Sequence, residues 1–354
     1  MQSWRCSLQK PFADSKPRGR ITGTMENPDT SKAKIPVVKP YWLPPPSSPP
    51  STPNSNDGKL KATWLGHSCY YVEYPSGVRV LFDPVFEDRC TPTQWFGPKR
   101  YSPPGCAISD LPPVDAVVIS HSHYDHLSHP SVLEVAKHNP EAHFFVGLGL
   151  EKWFRSAGIE KVTELDWWRD AELVLTRKDA AGEDISARIS CLPCQHSSGR
   201  TGRDKDTTLW CSWAVSSGNK SVWFGGDTGY RNVPTSIPPE ENDYKSPEYD
   251  SLPRCPHFGN IGRLRGPFDL GLIPIGAYKP RWMWSGVHSN PYDAVEIFKE
   301  TRCQKAMGIH WGTWVLTSEE VEEPPRMLKE ALRTSGIPET GVFDVCAVGE
   351  TREF

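Results

Sequence analysis

The stretch Ser120-His121-Ser122-His123-Tyr124-Asp125-His126-Leu127 constrains this chain more than any other part, because it follows directly on the apolar run Val117-Val118-Ile119. Four metal-binding side chains, His121, His123, Asp125 and His126, fall within one short segment. Neither a helix nor a strand can aim all four the same way, since side chains repeat about every 3.6 or 2 residues on those elements. A turn at the C-terminal end of a strand can bring them to two adjacent points in space. Imidazole nitrogens with a carboxylate oxygen are a donor set that suits zinc.

Further ligands are then expected at other strand ends, and three segments repeat the pattern. Strand-like runs from Ile189, Ser221 and Lys305 close on His196, Asp227 and His310. Seven ligands exceed one tetrahedral zinc and fit two Zn2+ ions that share a carboxylate. In this reading His121, His123 and His196 hold one ion, Asp125, His126 and His310 hold the other, and Asp227 bridges. Two divalent charges lower the pKa of a trapped water, so a bridging hydroxide becomes the nucleophile, and they offset charge on a phosphoryl or acyl oxygen. The residues therefore describe a hydrolase, with Asp125 and Asp227 among its catalytic groups.

Residues 1–58 read as a disordered tail and Pro-rich linker, since the run from Lys39 through Pro53 has too many prolines for a helix or central strand. Residues 59–354 read as one catalytic domain of α/β class. Strand-like runs appear at 61–65, 68–74, 78–82 and 115–120, and helical patterns at 131–138, 150–157, 291–300 and 318–334. A long loop at about 230–267 has little apolar periodicity and reads as disordered or as a functional flap. A net charge of −3 gives no basic excess for coating phosphates, which excludes a nucleic-acid partner. Ten cysteines with no second C-x-x-C fit reduced thiols in an intracellular, cytoplasmic setting. No run reaches the roughly 18 to 20 apolar residues of a membrane span, so membrane contact would be peripheral. Arg5 and Lys10 precede the first acid, Asp14, which keeps a mitochondrial destination open.

The blocks Thr63-Trp-Leu-Gly-His-Ser, Leu81-Phe-Asp-Pro, Gly97-Pro-Lys-Arg, Glu164-Leu-Asp-Trp-Trp, Gly225-Gly-Asp-Thr-Gly-Tyr, Ile273-Pro-Ile-Gly-Ala-Tyr-Lys-Pro-Arg-Trp and Ile309-His-Trp-Gly-Thr accompany the metal motif in order. Together they resemble the N-acylphosphatidylethanolamine-hydrolysing phospholipase D family of the metallo-β-lactamase superfamily. The resemblance implies an αββα sandwich of two mixed sheets flanked by helices, with the dinuclear site along one edge. It implies hydrolysis of N-acylphosphatidylethanolamine to an N-acylethanolamine and a phosphatidic acid. It also implies that Tyr124 and His288 contact substrate beside the metals, His288 serving in catalysis, and that Asp83 orients a metal-bound histidine from behind. His67 reads equally as an active-site neighbour or a buried structural histidine.

A lipid phosphodiester sits at the bilayer interface, where indoles settle and arginine pairs with phosphate. Arg281, Trp282 and Trp284 are accordingly expected at the substrate side, with Trp167 and Trp168 as further interfacial aromatics. A homodimer is compatible with this reading. Two alternatives compete: the same dinuclear hydrolase acting on a lactone or a soluble phosphodiester, and a non-catalytic lipid-binding scaffold.

Overall fold

Along the first strands, successive side chains enter two different cores, which fixes the layering. A computed structural model describes residues 28–31, 33–42, 58–178, 182–237, 244 and 246–354. In β2 (Cys69–Glu73), β3 (Arg79–Phe82) and β4 (Ala116–Val118), the side chains of Tyr70, Val72, Val80, Phe82 and Val118 enter the main core. Their neighbours Cys69, Tyr71, Leu81 and Val117 enter a second core on the opposite face. A sheet buried on both faces needs cover on both sides. Helices α1 (His129–His138) and α2 (Glu151–Ser156) cover one face, contributing Val132, Val135 and Phe154. A second sheet covers the other, through Ile189, Trp213, Val215, Val222 and Phe224.

The first sheet is completed by β1 (Lys61–Gly66), β5 (His143–Gly147), β6 (Val162–Leu165) and β14 (Thr351–Glu353), in the order β14-β1-β2-β3-β4-β5-β6. The second comprises β7 (Asp170–Lys178), β8 (Asp184–Leu192), β9 (Ser212–Ser217), β10 (Lys220–Phe224), β11 (Phe268–Pro274), β12 (Cys303–Ile309) and β13 (Phe343–Asp344), in the order β13-β12-β11-β10-β9-β8-β7. Strands β3 to β6 and β10 to β13 run parallel and the other pairs antiparallel. Outside the second sheet lie α4 (His257–Leu264), α6 (Pro291–Thr301) and α7 (Glu323–Thr334), which bring Phe258, Ile261, Val295, Ile297, Leu328 and Leu332 to the core. The expected αββα sandwich of mixed sheets is therefore the fold adopted. At roughly 25 cal/mol per Å² of apolar surface removed from water, the large buried rings of Trp64, Trp213 and Trp223 between the sheets are among its strongest contributors.

Three segments differ from the sequence reading. The expected tail falls largely on residues 1–27, 32 and 43–57, which lie outside the described residues, but 33–42 dock on the domain. Val38 N donates to Val348 O (2.8 Å), Val348 N donates to Pro36 O (2.9 Å), and the Trp42 ring meets Tyr71 edge-on at 5.1 Å. Gly349 permits this approach, because a Cβ there would stand 1.9 Å from Val38 O. Within 230–267, residues 238–243 and 245 lie outside the described residues, while α3 (Pro247–Ser251) and α4 are helical. The two-turn α4 buries Phe258 and Ile261 three residues apart, a repeat too short to stand out in sequence. Helix α7 starts at Glu323 instead of Ser318, because Pro324 and Pro325 can be accommodated only in a first turn. Among the described residues no helix is long and apolar enough to cross a membrane.

Candidate metal centre

The parallel strands deliver their carboxyl ends to one edge of the sandwich, and the polar residues cluster there. His121, His123, Asp125 and His126 occupy the turn after β4, His196 follows β8, Asp227 follows β10 and His310 follows β12. The two sheets are joined at this edge: Trp213 Nε1 donates to Ile119 O (3.0 Å), Cys211 N to Ser120 O (3.0 Å) and His310 N to His67 O (3.1 Å). Three non-glycine residues here hold left-handed backbone, His67 (φ 51°), Asp83 (φ 38°) and His310 (φ 62°). Each such conformation costs about 1–3 kcal/mol and persists only where the surroundings enforce it, which is typical of functional sites.

The seven candidate ligands come together in space. His123 Nδ1 lies 2.8 Å from His121 Nε2 and 3.2 Å from His196 Nε2. Asp125 Oδ2 lies 3.4 Å from His126 Nε2 and 3.3 Å from His310 Nε2. Asp227 Oδ2 stands between the two groups: it is 3.1 Å from His310 Nε2, 3.2 Å from His126 Nε2, 3.6 Å from His196 Nε2 and 3.9 Å from His121 Nε2. Asp227 Oδ1, His126 Nε2 and both ring nitrogens of His310 are buried with no hydrogen-bond partner. Buried polar atoms left unmatched in this way are destabilising unless a further group satisfies them. A divalent cation suits the all-imidazole and carboxylate donor set. The residues present therefore fit a metal.

Charge follows the same division. Burial, reinforced by His126, His123 and His196, holds His121 well below the usual histidine range, and burial likewise keeps His196 and His123 low. These are neutral imidazoles with lone pairs to give. Burial would also lower His126 and His310, but Asp227 and Asp125 outweigh it, raising His126 and bringing His310 to about 9. The two carboxylates, although buried, are held ionised by those same histidines.

A second layer of hydrogen bonds fixes the rings. Asp83 Oδ2 accepts from His126 Nδ1 (2.7 Å) and from Ser120 Oγ (2.6 Å), while Asp83 Oδ1 accepts from Ser120 N (2.7 Å). This turns His126 Nε2 toward Asp227. His196 Nδ1 donates to Val287 O (2.8 Å), presenting Nε2 to the cluster. His67, undecided in sequence, stands at the site: its Nε2 is 3.1 Å from Asp125 Oδ2, and its ring lies 4.2 Å from that of His310. The positive φ of His67 has no signature in composition or periodicity.

Beside the turn after β4, Tyr124 lines a groove of about 360 Å³ together with Glu87, Gln94, His129, Trp153 and Arg200. Arg200 was not anticipated. Its guanidinium stacks 4.0 Å over the Tyr124 ring, and Nη1 donates to Ser122 O (2.8 Å) and Leu127 O (2.7 Å), bracing the metal turn from outside. His288 is buried beside Asp227 (3.9 Å), and burial pushes it down to about 4 despite that carboxylate. Trp284 meets the His288 ring edge-on at 5.9 Å, whereas Trp282 is 41% exposed. Arg281, in α5 (Arg281–Trp284), directs Nη2 to Asp293 (2.6 Å) at the start of α6. Trp167 and Trp168 pack on the main core, and Trp167 Nε1 donates to Trp210 O (2.8 Å).

Two mixed sheets with a His/Asp cluster along one edge define a metal-dependent hydrolase of the metallo-β-lactamase fold. Residues 78–243 and 252–311 match the family described as "Beta-lactamase superfamily domain". The chain is 40% identical over 283 residues to N-acyl-phosphatidylethanolamine-hydrolyzing phospholipase D 1 of Caenorhabditis elegans, covering 78% of this chain and 71% of that one. It is 32% identical over 284 residues to the mitochondrial N-acyl-phosphatidylethanolamine-hydrolyzing phospholipase D of Saccharomyces cerevisiae, covering 79% of this chain and 54% of that one. Among solved structures, the metallo hydrolase Igni18 from Ignicoccus hospitalis shares the fold, with a TM-score of 0.53 at 20% identity, over 84% of this chain and 98% of that one. The chain belongs to the N-acylphosphatidylethanolamine-hydrolysing phospholipase D family.

Proposed function

We propose that this protein hydrolyses N-acylphosphatidylethanolamine to N-acylethanolamine and phosphatidic acid with two zinc ions at the strand-end cluster. The observation that carries the reading is the convergence of two ligand triads on Asp227 Oδ2, in a chain 40% identical to an enzyme named for this reaction. His121, His123 and His196 would hold one ion, Asp125, His126 and His310 the other, and Asp227 would be shared. When bound, such a pair supplies Lewis acidity that activates water and offsets charge on the phosphoryl oxygens. A water oxygen bonds to phosphorus while the bond from phosphorus to the ethanolamine oxygen breaks; the proton lost by the water is matched by one gained by that oxygen, so N-acylethanolamine leaves and phosphatidic acid remains.

The chain's own residues prepare that step. Burial keeps bulk water from the cluster and strengthens every charge interaction within it. Asp83 and Val287 O hold His126 and His196 with Nε2 inward, so no reorientation is needed on binding. His288, kept neutral, is placed to hydrogen-bond a phosphodiester oxygen or leaving group, and Tyr124 faces the groove through which the lipid would enter. The protein would act as a peripheral membrane enzyme inside the cell, and the yeast relative's name favours a mitochondrial setting.

Purified protein loaded with zinc and given phosphatidylcholine vesicles containing N-acylphosphatidylethanolamine should release N-acylethanolamine and phosphatidic acid in equal amounts. Diacylglycerol as product, or activity confined to lactones and soluble diesters, would overturn the proposal. Asp83→Asn weakens the acceptor behind His126 and should lower zinc affinity by about 10- to 100-fold in chelator competition. Unchanged affinity would remove Asp83 from the metal support.

A further inference from the structure

Trp95 is 90% exposed and its neighbour Phe96 62% exposed, the largest pair of adjacent apolar side chains given to solvent among the described residues. They cap the loop Thr91–Gly97, which is internally fastened. Thr91 Oγ1 contacts Thr93 O (2.7 Å) and Phe96 O (2.8 Å), Arg89 N donates to Gln94 Oε1 (2.9 Å) and Gln94 Nε2 donates to Arg89 O (3.0 Å). Arg89 Nη1 donates to Gly97 O, and Arg89 bridges Lys99 at the base. Gly97 (φ 91°) allows the loop to close, since a Cβ there would meet Thr91 Cγ2 at 2.3 Å. The result is a braced finger whose tip is indole and phenyl.

We infer that this finger is the protein's membrane-docking element, with Trp95 and Phe96 entering the interface of a bilayer that holds the substrate; the inference rests on the lipid reading above. Three observations choose a lipid surface as occupant. The loop borders the groove of Tyr124 through Thr91, Pro92 and Gln94, so docking there brings the bilayer to the mouth that leads toward the metal turn. From Arg89 to Ser109 the sequence carries no acidic residue, and Lys99 is exposed, its Nζ 4.0 Å from Asp88. N-acylation removes the ammonium charge of phosphatidylethanolamine and leaves the phosphate, so membranes enriched in substrate are anionic and attract such a segment. Indole and phenyl rings at head-group depth supply the apolar part of binding. The sequence reading placed this role on Trp282 and Trp284, but Trp284 is turned inward against His288 and Trp282 is less exposed than Trp95.

The double variant Trp95→Ser/Phe96→Ser tests this in zinc-loaded full-length protein. Its partition onto phosphatidylcholine vesicles doped with N-acylphosphatidylethanolamine, measured by sedimentation, should fall at least about tenfold, with vesicle hydrolysis falling in parallel. Hydrolysis of a short-chain, monomeric N-acylphosphatidylethanolamine should stay within about twofold, and the melting temperature should not move. Unchanged partition would overturn the assignment. So would equal loss on the monomeric substrate, which would place the loop in the site, or loss of a wild-type self-association on gel filtration, which would make a second copy the occupant. If the wild type hydrolysed no such lipid at all, the functional reading would fail while sedimentation still judged the finger.

Discussion

Asp227→Asn is expected to lower turnover on N-acylphosphatidylethanolamine vesicles by about 10³-fold or more, while far-UV circular dichroism stays that of the parent. The expectation follows from where one oxygen stands. Asp227 Oδ2 lies within 3.9 Å of ring nitrogens of His121, His126, His196, His288 and His310, and Oδ1 is buried without a partner. The amide keeps the size, so packing around this buried position is preserved, but it removes the charge that two cations would share. Bound zinc per chain should fall together with the rate. A variant that kept most of its activity would show that the carboxylate does not bridge.

Chelation is expected to abolish activity, added zinc to restore it, and reloading at neutral pH to release protons. In the metal-free protein Asp227 and Asp125 draw protons onto His126 and His310, His310 titrating at about 9. Below that value the imidazolium stands where the cation would, so zinc must displace a proton and its affinity must rise with pH up to about 9. Stability has the opposite sign. A histidine whose folded pKa is raised above its unfolded value stabilises the metal-free fold fully below about 6.5, and that contribution is lost as pH rises through about 9. Metal-free protein should therefore melt at a lower temperature at pH 9 than at pH 7.5, and zinc should erase the difference. In that window the depressed His121, His123, His196 and His288 contribute little, because unfolded histidines are already largely neutral. Calorimetric titration in buffers of different ionisation enthalpy measures the protons released. No proton release on reloading would contradict the charge pairing at Asp227.

The metal centre was legible because its information is local. His121, His123, Asp125 and His126 share the turn after one apolar run, His196, Asp227 and His310 lie one to four residues beyond three others, and all four runs end at the same edge of the sandwich. The surrounding groups carry no such mark. Arg200 reaches Tyr124 only because the turn after His196 folds back on the metal loop, and Trp95 has the same identity as the buried Trp64 and Trp213, so exposure separates them only in three dimensions. The docking of 33–42 likewise depends on an isolated bridge to Val348, about 300 residues further along the chain. Arg281 met a competing demand: Asp293, which also caps the N-terminus of α6, takes its guanidinium.

The two ligand triads also bear on the order of events in the cell. The first sheet supplies His121, His123, Asp125 and His126, whereas His196, Asp227 and His310 come from the second, and His310 is made only after β12. A nascent chain that has made only β1 to β6 holds an incomplete set of the candidate ligands. The candidate ligand set is thus complete only once β12 has been made, and a misassembled chain that lacks the second sheet has no means of completing the site.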